Sequence, residues 1–149
     1  MKLTSILSPG RTLCDAPGSS KKRTLETIAQ FICQDIPDLN PNELFDSFIA
    51  RERLGSTGLG DGIAIPHCRI KNCEEVIGSL IKLEQAIDFD AADGKPVDLL
   101  FVLIVPEEAT DEHLQVLAML AKSFSDPEYC QRLRKAKDNE ELYYQAIAQ

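Results

Sequence analysis

The chain holds only two histidines, His67 and His113, and a neutral imidazole can act as nucleophile, base or metal ligand near pH 7. His67 ends the apolar stretch of LGSTGLGDGIAIPHCRI (54–70), where four glycines and a rigid proline precede it. Glycine supplies positive φ at little steric cost and lets backbone N–H groups come close to an anion. His113 falls in the first turn of a predicted helix, where the partial positive charge disfavours a protonated ring and favours a bound anion. A neutral His113 could therefore donate a hydrogen bond to an oxyanion. Arg51, just ahead of the glycines, could add a two-pronged cation. Each residue also has a plainer reading. The glycines could simply be tight turns, His67 a structural ring, His113 a first-turn surface residue and Arg51 a solvated helix-end cation. Spacing alone leaves both readings open.

Familiar phosphate and nucleophile motifs do not fit the loop. No lysine follows the glycines as a P-loop requires, and Gly58, Gly60 and Gly62 run as G-x-G-x-G before a strand rather than a helix. Gly55-Ser56-Thr57-Gly58 is not a G-x-S-x-G nucleophile elbow. Nucleotide cofactors and serine hydrolysis fall away. A metal centre lacks support too: Cys68 and Cys73 stand near His67, but no second ligand pair follows downstream. No cofactor and no metal is expected.

Composition narrows the remaining classes. The 149 residues suit one domain over 1–149, with 44% hydrophobic and 27% charged residues in ordinary globular balance. Sixteen basic residues against twenty-four acidic ones leave a net charge of −8, which argues against a nucleic-acid partner. No apolar run reaches the roughly 20 residues that span a bilayer, and the N-terminus carries no signal-peptide pattern. Five scattered cysteines, an odd number, read as reduced thiols of a cytoplasmic protein.

These residues need a scaffold to bring them together, and the hydrophobic pattern outlines one. Residues 12–15 read as a short strand, and Ser19-Ser20 caps a helix with Leu25, Ile28, Phe31 and Ile32 at helical spacing. Pro37 ends that helix. Asn40-Pro41 opens a second one, striped by Leu44, Phe45, Phe48 and Ile49 and stopped at Gly55. Strands are predicted at 63–65, 76–83 and 97–105, the last (VDLLFVLIV) apolar enough to be central and covered on both faces. Thr110 caps a long helix with Leu114, Leu117, Leu120, Ala121 and Phe124 on its buried side, and shorter helices follow at about 127–135 and 138–148. The order implies an α/β fold, a three-layer sandwich in which a mixed β-sheet is flanked by helices on both faces.

The run RERLGSTGLGDGIAIPHCRI (51–70) resembles the active-site signature of the fructose/mannitol-type enzyme IIA components of the phosphoenolpyruvate-dependent phosphotransferase system, and within them the nitrogen-regulatory branch. PVDLLFVLIVP (96–106), DEHLQVLAMLAK (111–122) and NEELYYQAI (139–147) fit the same pattern. The resemblance implies that His67 is the phosphoacceptor, passing through a tele-phosphohistidine, with a histidine-containing phosphocarrier protein as donor. It implies supporting roles for His113 and for Arg51, which would stabilise charge. Ser56, Thr57 and Gly58 would face the phosphate, or Ser56 and Thr57 would merely shape the turn. Two outputs follow from the resemblance: regulation of target proteins in the nitrogen-related system, or transfer to a IIB domain in fructose or mannitol transport. The absence of a fused IIB or membrane domain leans towards regulation. Two positions depart from the pattern. Cys68 stands where glycine commonly follows the histidine, and Asp61 where the nitrogen-type proteins often have asparagine. A carboxylate at 61 would repel a phosphohistidine unless it points away.

Overall fold

The computed structural model describes residues 2–71, 73–108 and 111–148, with backbone alone at 112–114. The predicted Thr110 cap and the side chains of His113 and Leu114 lie outside the described residues. Two 3-10 turns (Leu3–Ser5 and Pro9–Arg11) lead into strand β1 (Thr12–Ala16), helix α1 (Lys21–Asp35) and helix α2 (Pro41–Glu52). Strands β2 (Gly58–Gly60), β3 (Ile63–Ala64), β4 (His67–Ile70), β5 (Ile77–Ile87) and β6 (Val97–Pro106) follow. Helices α3 (Asp111–Phe124), α4 (Pro127–Arg134) and α5 (Asn139–Ile147) complete the chain.

Local chemistry sets the helix starts. The Ser20 hydroxyl accepts from the Arg23 N–H, and Asn40 Oδ1 accepts from the N–H groups of Asn42 and Glu43, with Pro41 in the first turn. Asp126 and Asp138 cap α4 and α5 in the same way. Each cap satisfies donors that the helix itself cannot pair.

The strands form one mixed sheet ordered β1-β5-β6-β3-β2, with β4 also paired to β6. β5 runs antiparallel to β6, whereas β1 is parallel to β5 and both β3 and β4 are parallel to β6. The central strand is covered on both faces, as its apolar run predicts. Leu99, Phe101, Leu103 and Val105 pack in one layer with residues of α3, α4 and α5, while Val97, Leu100, Val102 and Ile104 join α1 and α2 in the other. This alternation produces the three layers.

Two details near the glycines differ from the sequence reading. β5 runs on to Ile87, and the predicted strand at 63–65 is part of a longer parallel run beside β6. Ile63 and Ala64 pair with Leu99 and Leu100, then His67 to Ile70 pair with Leu103 to Pro106 in the same register. Pro66 has no N–H, yet its carbonyl accepts from Leu103 N at 2.9 Å, so the ladder bridges the gap. His67 begins a strand instead of ending one.

The core leaves little slack at β5. A Cβ on Gly78 would lie 2.8 Å from the ring of Phe101, which is fully buried. Gly78→Ala should therefore cost about 1–3 kcal/mol through overpacking. Urea denaturation should show a lower midpoint with an unchanged slope.

Candidate functional site

The site starts at the end of α2. Arg51 and Glu52 occupy its last turn, and the chain then turns through Leu54 N to Arg51 O and Gly55 N to Glu52 O. The two side chains serve different partners. Arg51 Nη1 donates to Gly55 O at 3.0 Å, and its Nε donates to His67 Nε2 at 3.2 Å. Glu52 accepts from Thr57 twice, from N at 3.2 Å and from Oγ1 at 2.6 Å.

The His67 ring is held from both sides. Nδ1 lies 2.8 Å from Ile65 O. A carbonyl can only accept and a guanidinium N–H can only donate, so both contacts assign the proton to Nδ1 and the lone pair to Nε2. Burial is the largest influence on this ring and pushes its pKa below the ordinary histidine value. The bond to Ile65 opposes that shift, the Arg51 cation adds to it and Glu52 opposes it. The ring is thus biased to the neutral form with its lone pair on Nε2. An open depression of ≈ 450 Å³ fronts it, lined by Ser47, Ala50, Leu54 and Cys68 along with Arg51, Arg69 and His67. Leu54 is 83% exposed there.

The glycine-rich segment is fastened by residues from distant parts of the chain. Ser56 Oγ donates to Phe89 O at 2.8 Å and accepts from Gly58 N at 3.1 Å. Asp93 accepts from Asp61 N at 2.9 Å, and Arg134 donates to Asp61 O at 2.9 Å while paired with Asp98. Gly62 has φ +84 and a Cβ there would meet Arg134 Nη2 at 2.7 Å, so the turn requires glycine. Lys21 Nζ pairs with Glu52 at 3.0 Å and lies 4.7 Å from the centre of the Phe89 ring.

Of the residues singled out in the sequence, the structure joins Arg51 to His67 directly. Ser56 and Thr57 belong to the loop after α2 and Gly58 begins β2, and the hydroxyls of Ser56 and Thr57 are engaged in bonds that shape this turn. His113 lies in the first turn of α3, and its side chain lies outside the described residues. Sequence reasoning missed Glu52, Lys21, Phe89, Asp93 and Arg134. The Arg51-Glu52 pair at a helix end was the one local signal; the others come from segments whose proximity no spacing encodes. Among the described residues, no group of three or more His, Cys, Asp or Glu side chains could hold a metal ion.

The two departures have simple geometry. Cys68 is buried in the layer that holds α1 and α2. Burial, with a smaller contribution from Cys73, pushes its thiol up to about 12. It is therefore an uncharged neighbour of His67. The Asp61 carboxylate is 86% exposed and pairs with Lys95 at 3.3 Å.

Comparison with known proteins identifies the family and the fold. Residues 5–148 match the family described as "Phosphoenolpyruvate-dependent sugar phosphotransferase system, EIIA 2". The chain belongs to this family. It is 49% identical over 143 residues to a nitrogen regulatory protein of Pseudomonas aeruginosa, covering 96% of this chain and 93% of that one. The crystal structure of nitrogen regulatory protein IIA-Ntr from Neisseria meningitidis superposes with a TM-score of 0.88 at 39% identity, covering 95% of this chain and 97% of that one. The fold also matches the mannitol IIA enzyme of Escherichia coli in its complex with phosphorylated mannitol IIB, at a TM-score of 0.79 and 17% identity, covering 96% and 98%. The mixed sheet with helices on both faces is this family's fold.

His67 should titrate below the ordinary midpoint of about 6.5, as its burial requires. Arg51→Met should raise that midpoint, because it removes a cation and keeps most of the bulk. Since the folded ring binds its proton less readily than the unfolded one, His67 should cost stability as the pH falls through the ordinary histidine range. That loss levels off below the folded midpoint. NMR titration of the imidazole would follow the first two effects. Comparing the pH dependence of unfolding with that of His67→Gln would isolate the third.

Proposed function

We propose that this phosphotransferase-system IIA protein carries a phosphoryl group on His67 Nε2 and that its main output is regulatory. The observation that carries the reading is the ring's tautomer. Ile65 holds the proton on Nδ1, and the Nε2 lone pair faces the Arg51 guanidinium.

The donor in this reading is the phosphohistidine of a histidine-containing phosphocarrier protein. The Nε2 lone pair attacks phosphorus in line with the donor's P–N bond. The donor nitrogen leaves with that bond pair, and a P–N bond to His67 replaces it, so the product is a tele-phosphohistidine. Such a transfer needs positioning and charge stabilisation more than covalent help from the protein. Arg51 supplies both. Its Nε moves from the ring lone pair to the phosphoryl oxygens as phosphorus arrives, and its Nη1 bond to Gly55 O keeps the guanidinium near the site. We assign His113 a supporting hydrogen bond to those oxygens. Ser56, Thr57 and Gly58 border the phosphate site chiefly by shaping the turn, and direct contact from either hydroxyl would require its present bond to be exchanged. Neither a cofactor nor a metal takes part in this scheme.

The nitrogen regulatory names of the relatives favour target proteins as partners that distinguish the two phosphorylation states. The mannitol IIA complex with IIB favours a second reading, in which the group passes on to a IIB domain in sugar transport. Among the described residues no helix is long and apolar enough to cross a membrane, which suits the cytoplasmic placement we propose.

Incubation with phosphoenolpyruvate, enzyme I and phosphocarrier should yield one acid-labile phosphate, mapped to His67 by mass spectrometry and absent in His67→Gln. Phosphate on His113 or Ser56 would overturn the assignment. Arg51→Met should slow transfer by about 10²–10³, the usual cost of losing one charge-stabilising donor. His113→Ala should still be phosphorylated at His67, but more slowly, and His113→Gln should recover part of the loss in rapid-quench assays. Adding a IIB domain separates the two outputs: rapid loss of the phosphate to it supports transport.

A further inference from the structure

We propose that Glu52 is a positioning residue for the His67 ring, acting through Thr57 and held in place by Lys21. The role rests on the phosphoacceptor reading given above.

The connection is a continuous chain of hydrogen bonds. Glu52 accepts from both the N–H and the hydroxyl of Thr57. Thr57 O accepts from Ile65 N at 3.0 Å. Ile65 O in turn faces His67 Nδ1 at 2.8 Å. The two-point hold on Thr57 therefore fixes the residue against which Ile65 is bonded, and Ile65 sets the tilt and tautomer of the imidazole. Glu52 also adjoins Arg51 in the chain, so the last turn of α2 governs both nitrogens. Arg51 addresses Nε2 directly, and Glu52 addresses Nδ1 through two residues.

Burial explains why this carboxylate needs a partner of its own. The Glu52 side chain is 5% exposed, and a buried carboxylate without a cation is costly. Lys21, the first residue of α1, supplies the charge at 3.0 Å. Its ammonium also sits over Phe89, whose carbonyl accepts from Ser56. The start of α1, the end of α2, the glycine-rich loop and the segment after β5 thus meet at one carboxylate. A carboxylate–hydroxyl bond of 2.6 Å is of the strong, charge-assisted kind and suits a fixed strut.

The test uses Glu52→Gln, Thr57→Val, their combination and Thr57→Ser, each in the full chain. Amide exchange at Thr57 and Ile65 reads the strut without phosphate. Single-turnover and steady-state transfer from purified phosphorylated phosphocarrier reads its consequence. In Glu52→Gln, exchange at Thr57 should quicken about tenfold or more while the β6 amides keep their protection. The catalytic constant should fall about 10–100-fold, as for a ring slightly misplaced. KM for the phosphocarrier should stay within about twofold, because the Glu52 side chain is buried and does not line the depression in front of His67. Thr57→Val keeps the buried ion pair and should show the same kinetic pattern, so the result does not depend on Glu52→Gln folding. The double variant should be no slower than the slower single one, since both cut the same path. Thr57→Ser retains the hydroxyl and should recover most of the rate lost in Thr57→Val.

Unchanged exchange at Thr57, an unchanged catalytic constant, or additive losses in the double variant would each overturn the role. A wild-type protein that accepts no phosphate would overturn the phosphoacceptor reading itself. Phosphorylation of the wild type with equally fast Glu52→Gln would sink the positioning role alone.

Discussion

The parallel ladder between residues 63–70 and β6 is the constraint on which the site depends. β6 is buried on both faces, so its backbone polar groups have to be paired by neighbouring strands in full. That requirement holds Ile65, Pro66 and His67 in one register beside a strand that cannot shift without opening both layers of core. Pro66 interrupts the ladder on its N–H side only, because its carbonyl still bonds Leu103. The imidazole is carried on a strand paired to the doubly covered β6, whereas the residues that address it come from a helix end and a loop.

Cations and carboxylates alternate around the glycines. In a chain with net charge −8, Lys21, Arg51 and Arg134 converge on this segment together with Glu52, Asp61 and Asp98. Lys21 and Arg134 are committed to Glu52 and Asp98, and they fasten opposite ends of the loop. Arg51 bonds neutral acceptors, Gly55 O and His67 Nε2, in the contacts described. A guanidinium bonded to neutral groups keeps its charge available for an incoming anion at less cost than one that must leave a carboxylate. This division of labour suits the phosphoryl transfer we propose, in which two cations set geometry and the third would meet the phosphoryl charge.

The family relationship and the departures from its pattern also fit together. Cys68 replaces a glycine without adding charge, since its thiol is buried and lies far from ionisation at neutral pH. Asp61 brings a carboxylate into the loop but turns it to solvent and to Lys95. A screened, exposed carboxylate has a short electrostatic reach. Neither change disturbs the contacts that hold the His67 ring.

Much of this protein was legible in its residues. The unbroken apolar run at 97–105 required a strand covered twice, and helical spacing after Ser19-Ser20 and Asn40-Pro41 outlined α1 and α2. The ranges 127–135 and 138–148 fell close to α4 and α5, although their Asp126 and Asp138 caps were not singled out. The long run from Arg51 to Ile70 was specific enough to name the family and to single out Arg51 and His67. What spacing could not carry was contact between distant segments. Nothing in the sequence ties Lys21 to Glu52, Phe89 to Ser56 or Arg134 to Gly62, since those pairs meet only after α1, α2 and α4 dock on the sheet. The strand at 67–70 was equally hidden, because four residues containing His, Cys and Arg have no strand pattern until β6 offers a partner. Local pattern thus determined the elements and the candidate chemistry. The docking of α2 against β4 decided what His67 Nε2 meets, because Ile65 O is a local partner two residues back on the Nδ1 side, whereas Arg51 Nε reaches the other nitrogen only when the layers pack.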